Sequence, residues 1–304
     1  WTEGTIAPEA FNSRPATAIG SGYAESKWVA EKILVKAAEQ TTLKPCIVRI
    51  GQICGGLGGS WSAAEWFPTL VASGPVLRCL PQALGYLSWI PAHHAANALI
   101  DIRKALMLED CFDEDADYDM DIDDDIPSSP DTSVSSLEFT DSDGVSPTLP
   151  PSSQHTTPPN PFTPSYSPPQ CAPSTSEYVK FINLVHPHPV PAAPIMERLG
   201  DLLGLPLVRY SEWLNALESS ATTSSSVHHP SSSSSLSNPA ISLLHFYRSA
   251  RLPSAADSEA FGFTAMKTNN AVETVPWLND LERLSQQDVD HWVEYWRKVG
   301  LLRS

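Results

Sequence analysis

The chain is interrupted near its middle by sequence that cannot build a core. Residues 109–143 hold 15 acidic residues, beginning with EDCFDEDADYDMDIDDD, and 109–176 hold no Lys or Arg. The run then passes into Ser/Thr/Pro-rich sequence such as PPSSQHTTPPNPFTPSYSPP. Such a stretch buries too little apolar surface to offset the entropy of ordering it. Residues 109–176 are therefore expected to be a disordered insertion. SSATTSSSVHHPSSSSSLS (219–237) is read the same way. The folded protein must be assembled from 1–108 and 177–304.

Charge follows the same division. The formal net charge is -16, and without the acidic stretch it is -16 + 15 = -1. The remainder is close to neutral and carries no basic stripe of the kind that holds nucleic acid. No apolar run reaches the 18 or so residues that cross a bilayer. The five cysteines are scattered without metal or disulfide spacing, which suits reduced thiols in a cytoplasmic protein. Asp117, Asp119 and Asp121 alternate as calcium ligands do, but Ile122 stands where an EF-hand needs Gly and Ser128 where it needs Glu. That segment reads as a solvated linker.

Outside the insertions, helix and strand signals alternate. Residues 23–39 are good helix formers with Trp28, Val29, Ile33, Leu34 and Ala37 at helical spacing. Pro45 breaks the chain before the apolar run CIVRI (46–50), read as a buried strand. A helix is expected over about 62–73, a strand at LSWIP (87–91), a helix over 92–106 and a strand at VKFINLVHP (179–187). Further helices are expected near 191–204, 210–218, 239–250 and 285–299. In the last of these, Val289, Trp292, Val293, Trp296 and Val299 form one apolar stripe. Strands alternating with helices imply an α/β protein with a parallel sheet covered on its faces.

GYAESKWVAEKIL puts Tyr23 and Lys27 four residues apart on one helix face. A cation beside a phenol favours the phenolate, and a tyrosine so tuned can exchange a proton with a substrate oxygen. Two residue types at one spacing are a weak signal alone, and a helix-surface pair is the simpler reading. The blocks GYAESKWVAEKIL, KPCIVRIGQICGG, GSWSAAEWFP and LSWIPAHHAANALIDI, in that order and spacing, resemble extended short-chain dehydrogenase/reductases. More narrowly they resemble the thioester reductase domain that ends fungal adenylate-forming reductases and some nonribosomal peptide synthetases, including aminoadipate reductases. The likeness is strong over 1–108 and looser over 177–304.

The resemblance implies the C-terminal half of a Rossmann-like domain over 1–108 and a smaller, mostly helical substrate-binding part over 177–304. It implies NADPH-dependent reduction of an acyl thioester, held on the phosphopantetheine arm of a carrier domain in cis or in trans, to an aldehyde or alcohol. By position, Tyr23 resembles the proton donor to the carbonyl oxygen. Lys27 resembles the residue that supports that tyrosine and binds the nicotinamide ribose. Gly51, Gln52 and Ile53 would border the nicotinamide, and the loop Gly55–Trp66, with Trp61 and Trp66, would face the acyl side. The family's catalytic Ser/Thr is not found: Thr2, Thr5 and Ser13 do not follow an apolar strand. GQICGGLGGSW (51–61) matches neither GxGxxG, since Trp61 stands in place of the third Gly, nor a P-loop.

With Trp1 at its start, the chain is expected to begin inside a reductase domain and to be poorly stable alone. His93 and His94 replace the Asp expected at that helix start and, with His186 and His188, are read as structural. Two alternatives stay open: an extended reductase or epimerase acting on a free small molecule, and a non-catalytic remnant or interaction fragment.

Overall fold

The computed structural model describes residues 6–111, 179–226, 238–250 and 258–302. The first helix, α1 (Gly22–Gln40), starts where Ser21 Oγ accepts from Ala24 N and Glu25 Oε1 accepts from Gly20 N at 3.0 Å, satisfying two backbone donors at its start. Strand β1 (Cys46–Ile50) follows and pairs in parallel with β6 (Lys180–Leu184), Cys46 opposite Lys180 and Ile50 opposite Leu184. A parallel pair requires a long crossover, and the chain supplies one that contains α2 (Trp66–Leu77) and α3 (Ala92–Cys111).

Strand β2 (Ile53–Cys54) continues β1 and pairs in parallel with β5 (Ile90–Pro91). Shorter pairs join β3 (Leu80–Pro81) to β8 (Leu207–Val208) in parallel, and β4 (Tyr86–Leu87) to β7 (Val190–Pro191) antiparallel. The remaining helices are α4 (Ala192–Leu203), α5 (Tyr210–Ser226), α6 (Leu244–Ser249), α7 (Asn269–Thr274) and α8 (Gln286–Lys298). The chain is therefore α/β, with parallel strand pairs and a helical C-terminal part, as its alternating pattern predicts.

Three cores hold these elements. Val35 and Ala38 of α1 pack on Ile47, Val179 and Phe181, with Phe11 alongside. Ile182 and Leu184 of β6 pack against Ala95, Ala98 and Ile102 of α3 and Ala271 of α7. The largest core surrounds α2, whose residues from Phe67 to Gly74 are all buried. There Trp61, Phe67, Trp89, Trp292 and Trp296 meet ring on ring, with Trp61 and Trp292 centroids 5.1 Å apart and edge to face. Edge-to-face contact aligns a ring's positive rim with its neighbour's negative face, about 0.5–1.5 kcal/mol per pair beyond burial.

Several expectations change. LSWIP is not one strand: β4 and β5 flank Ser88 and Trp89, because Glu259 Oε1 takes the Ser88 N–H and the His186 N–H takes the Ser88 carbonyl. The Ser-rich stretch from 219 is helical as far as Ser226. Trp213 and Leu217 anchor α5 in the core, Glu218 pairs with Arg248 of α6, and Ser219 and Thr222 return their hydroxyls to Asn215 O and Ser219 O. Packing upstream thus carries the helix past its composition. Residues 227–237 and 112–178 lie outside the described residues. The α8 stripe holds for Val289, Trp292, Val293 and Trp296, whereas Val299 caps the helix and is exposed.

Candidate active site

Contacts along α1 and β1 locate the tyrosine and lysine. Arg49 of β1 makes a two-pronged ion pair with Glu31 of α1 through Nε and Nη2, while Nη1 donates to Pro8 O and Nη2 also to Ala10 O. One turn toward the helix C-terminus, Val35 packs against Ile47. Four helix residues rise about 6 Å and two strand residues about 6.6 Å. The two elements therefore run antiparallel in step, Val35 with Ile47 and Glu31 with Arg49, so the N-terminal end of α1, which carries Tyr23 and Lys27, lies toward the C-terminal end of β1, from which Gly51–Ile53 follow. Tyr23 is 74% exposed, and Lys27 Nζ lies over its ring, 5.4 Å from the centroid. A cation at that distance is drawn to the ring face, which keeps the ammonium beside the phenol.

The loop is held on three sides. Gly51 N donates to Leu184 O, and Gln52 O accepts from Ile90 N at 3.0 Å. The Gln52 amide is fixed at both ends: Nε2 donates to Ile53 O and Oε1 accepts from Trp66 Nε1 at 2.7 Å. Gly51 has no room for a side chain, because a Cβ there would meet Val185 Cγ1 at 2.3 Å.

The glycine run beyond the loop serves α8. A Cβ on Gly55 would lie 2.4 Å from the Trp292 indole, and one on Gly59 would lie 2.1 Å from His291 O. These glycines let α8 lie backbone to backbone on the turn Leu57–Gly59. The run is thus covered by a helix and offers no open cradle for a pyrophosphate. Among the described residues no other Gly-rich strand-to-helix turn stands open to hold the phosphates of a dinucleotide.

The two tryptophans differ. Trp61 is buried in the aromatic core, with its Nε1 donating to Glu65 Oε2, so its ring packs the core instead of an open acyl wall. Trp66 is half-buried and touches the loop directly. Trp89 is fully buried. Ser13 is exposed, and Thr2 and Thr5 lie outside the described residues, as do Asp117, Asp119, Asp121, Ile122 and Ser128.

The histidine pairs converge, which their separation in sequence concealed. His186 Nδ1 accepts from His188 N, so Nε2 carries the proton that goes to Glu282 O; His188 Nε2 bonds Asn279 O. Burial, then the nearby His188 and Arg283, hold the His186 imidazole below its usual pKa against the opposing pull of Glu282 O and Asp288. Burial, then His93 and His186, do the same for His94, with Asp288 opposing. Burial also pushes the Cys54 thiol well up, which keeps it from acting as a thiolate. Among the described residues no group of three or more His, Cys, Asp or Glu could hold a metal ion, and no helix is long and apolar enough to cross a membrane.

The chain resembles known proteins along most of its length. Residues 7–99 match the family described as Male sterility protein, an NAD-binding family. An adenylate-forming reductase of Heterobasidion annosum is 30% identical over 289 residues, covering 93% of this chain and 20% of that protein. The chain is homologous to the fungal adenylate-forming reductases. A second such reductase, from Serpula lacrymans, is 28% identical over 297 residues, again 93% of this chain and 20% of that protein. A carboxylic acid reductase of Neurospora crassa is 36% identical over 109 residues, 34% of this chain and 10% of the other. The crystal structure of the terminal R domain from the myxalamid PKS-NRPS biosynthetic pathway superposes with a TM-score of 0.58 at 14% identity, over 98% of this chain and 55% of that one. The fold is that of an R domain. The chain spans about a fifth of the length of the adenylate-forming reductases it matches. Likeness to an NAD-binding family suggests a nicotinamide cofactor.

Proposed function

We propose that this chain supplies the tyrosine–lysine side of an NADPH-dependent reductase acting on an acyl thioester carried by a phosphopantetheine arm. The observation that carries the reading is the exposed Tyr23, with Lys27 over its ring, on the end of α1 that lies toward the C-terminal end of β1. Bound NADPH would supply a hydride to the thioester carbonyl carbon. Tyr23 would give its phenolic proton to the carbonyl oxygen as charge develops there. The resulting hemithioacetal would collapse as its O–H proton returns to the Tyr23 phenolate and the C–S bond breaks, leaving an aldehyde and the pantetheine thiolate, which takes its proton from water. Lys27 would bind the nicotinamide ribose through its ammonium donors and favour the phenolate after transfer. Gly51, Gln52 and Ile53 would border the nicotinamide ring. Trp66 would sit between that loop and the acyl side.

The domain reading accompanies this: 1–108 as the cofactor-binding half and 177–304 as the substrate part, with a carrier domain as partner. The test is single-turnover conversion of an acyl-pantetheine thioester with NADPH, the aldehyde trapped as its hydrazone. Tyr23→Phe is expected to slow aldehyde formation by about 10²–10⁴-fold, far more than it weakens NADPH binding. An unchanged rate in that variant would refute the assignment.

A further inference from the structure

The Gln52 side chain is committed twice, and one of its partners is unusually well fixed. Trp66 is the first residue of α2, and its carbonyl accepts from Tyr247 Oη at 2.6 Å and from Thr69 Oγ1 at 2.9 Å. Its ring meets Phe67, Trp89 and Phe261 edge on, with centroids 5.1–5.8 Å away. Backbone and ring are both pinned, so the indole N–H is a donor that cannot follow Gln52 if Gln52 moves. A primary amide has two N–H donors and two acceptor lone pairs. Trp66 and Ile53 O take one of each, which leaves one donor and one acceptor on Gln52. That remainder is the complement of another primary amide.

We propose that Trp66 is a positioning residue: through its N–H it fixes the Gln52 amide so that Gln52 recognises the carboxamide of a bound nicotinamide. This rests on the cofactor reading above and assigns Trp66 to cofactor selection, where position alone suggested the acyl side. A fixed amide orientation distinguishes a carboxamide from a methyl ketone, which lacks the N–H₂ group. Without Trp66 the Gln52 amide keeps only the Ile53 O contact, a single hydrogen bond that an inverted amide can exchange for solvent, and that discrimination is lost. A purely structural role for Trp66 would weaken both ligands equally.

The experiment titrates the 304-residue chain with NADPH and with its reduced 3-acetylpyridine analogue, in parent, Trp66→Phe and Gln52→Leu. Phe keeps the ring packing and removes the N–H. Gln52 is half-buried and belongs to none of the core clusters, so Gln52→Leu is a second variant that spares the core. One neutral hydrogen bond, about 1 kcal/mol, sets the expected preference for the carboxamide at about fivefold in the parent. Both variants are expected to bring it to parity. A preference that survives in Trp66→Phe, or a parent that binds both ligands equally, overturns the proposal. A parent that binds neither overturns the cofactor reading itself, and the proposal falls with it.

Discussion

Gly58 and Gly59 are neighbours in one turn with similar positive φ angles, yet their replacement by alanine has different consequences. Gly58 has φ +64° and nothing within 4 Å of a built Cβ. Gly58→Ala therefore costs only the left-handed strain, about 1–2 kcal/mol. Gly59 has φ +76°, and its Cβ would fall 2.1 Å from His291 O and 2.7 Å from Trp292 N. Those are backbone atoms of α8, which cannot swing aside as a side chain can. The helix must retreat by about an ångström, and that gap forfeits a quarter to a half of each dispersion contact it opens. Trp292 and Trp296 would then lose part of their packing on Trp61. Overpacking of this kind adds about 1–3 kcal/mol, so Gly59→Ala is expected to cost about 2–5 kcal/mol in total. Urea unfolding followed by tryptophan fluorescence measures both variants against the parent. If Gly59→Ala destabilises no more than Gly58→Ala, the docking of α8 on the glycine run is wrong.

Arg49→Met should lower stability by about 3–5 kcal/mol, because Glu31 is left as a largely buried charge without its partner; Glu31→Met added to it should recover part of that loss in the same melt. The pH dependence has two opposed limbs. His186 and His94 titrate below the usual histidine value when folded, so their contribution is complete above about pH 6.5 and drains as pH falls. Glu259 is buried and pushed up to about 7 by that burial, so its contribution is present below the ordinary carboxylate range and is lost as pH rises through 7. Glu259→Gln keeps an acceptor for Ser88 N and removes that second limb. Its melting temperature should gain on the parent's from pH 5 to pH 8, and a constant difference would contradict the assignment.

What could be read in advance followed from periodicity and strong breakers. The α1 helix and β1 strand were legible because helical spacing runs unbroken from Tyr23 and Pro45 stops it before CIVRI. The two-residue strands β3, β7 and β8 carry no pattern long enough to detect. Helix α7 begins where Glu9, some 260 residues earlier, accepts from Asn270 N and Ala271 N, a cap invisible to local reading. The length of α5 came from Trp213 and Leu217 and not from its serines. At the site, the Tyr23–Lys27 spacing foretold that the two side chains meet, as the cation–ring contact shows. The role of the glycines was not foretold, because only the fold places α8 over them. Nor could spacing distinguish Trp61, sealed in the core, from Trp66, whose N–H reaches Gln52.

The central claim is that Tyr23, Lys27 and Gly51–Ile53 form the nicotinamide end of a cofactor site. Fluorescence titration of the 304-residue chain with NADPH, beside Lys27→Ala, tests it most directly. The account predicts saturable binding in the parent and at least about tenfold weaker binding in the variant, the loss of a charge-assisted hydrogen bond worth about 1.5–3 kcal/mol. No saturable binding by the parent, or equal binding by both, would contradict it.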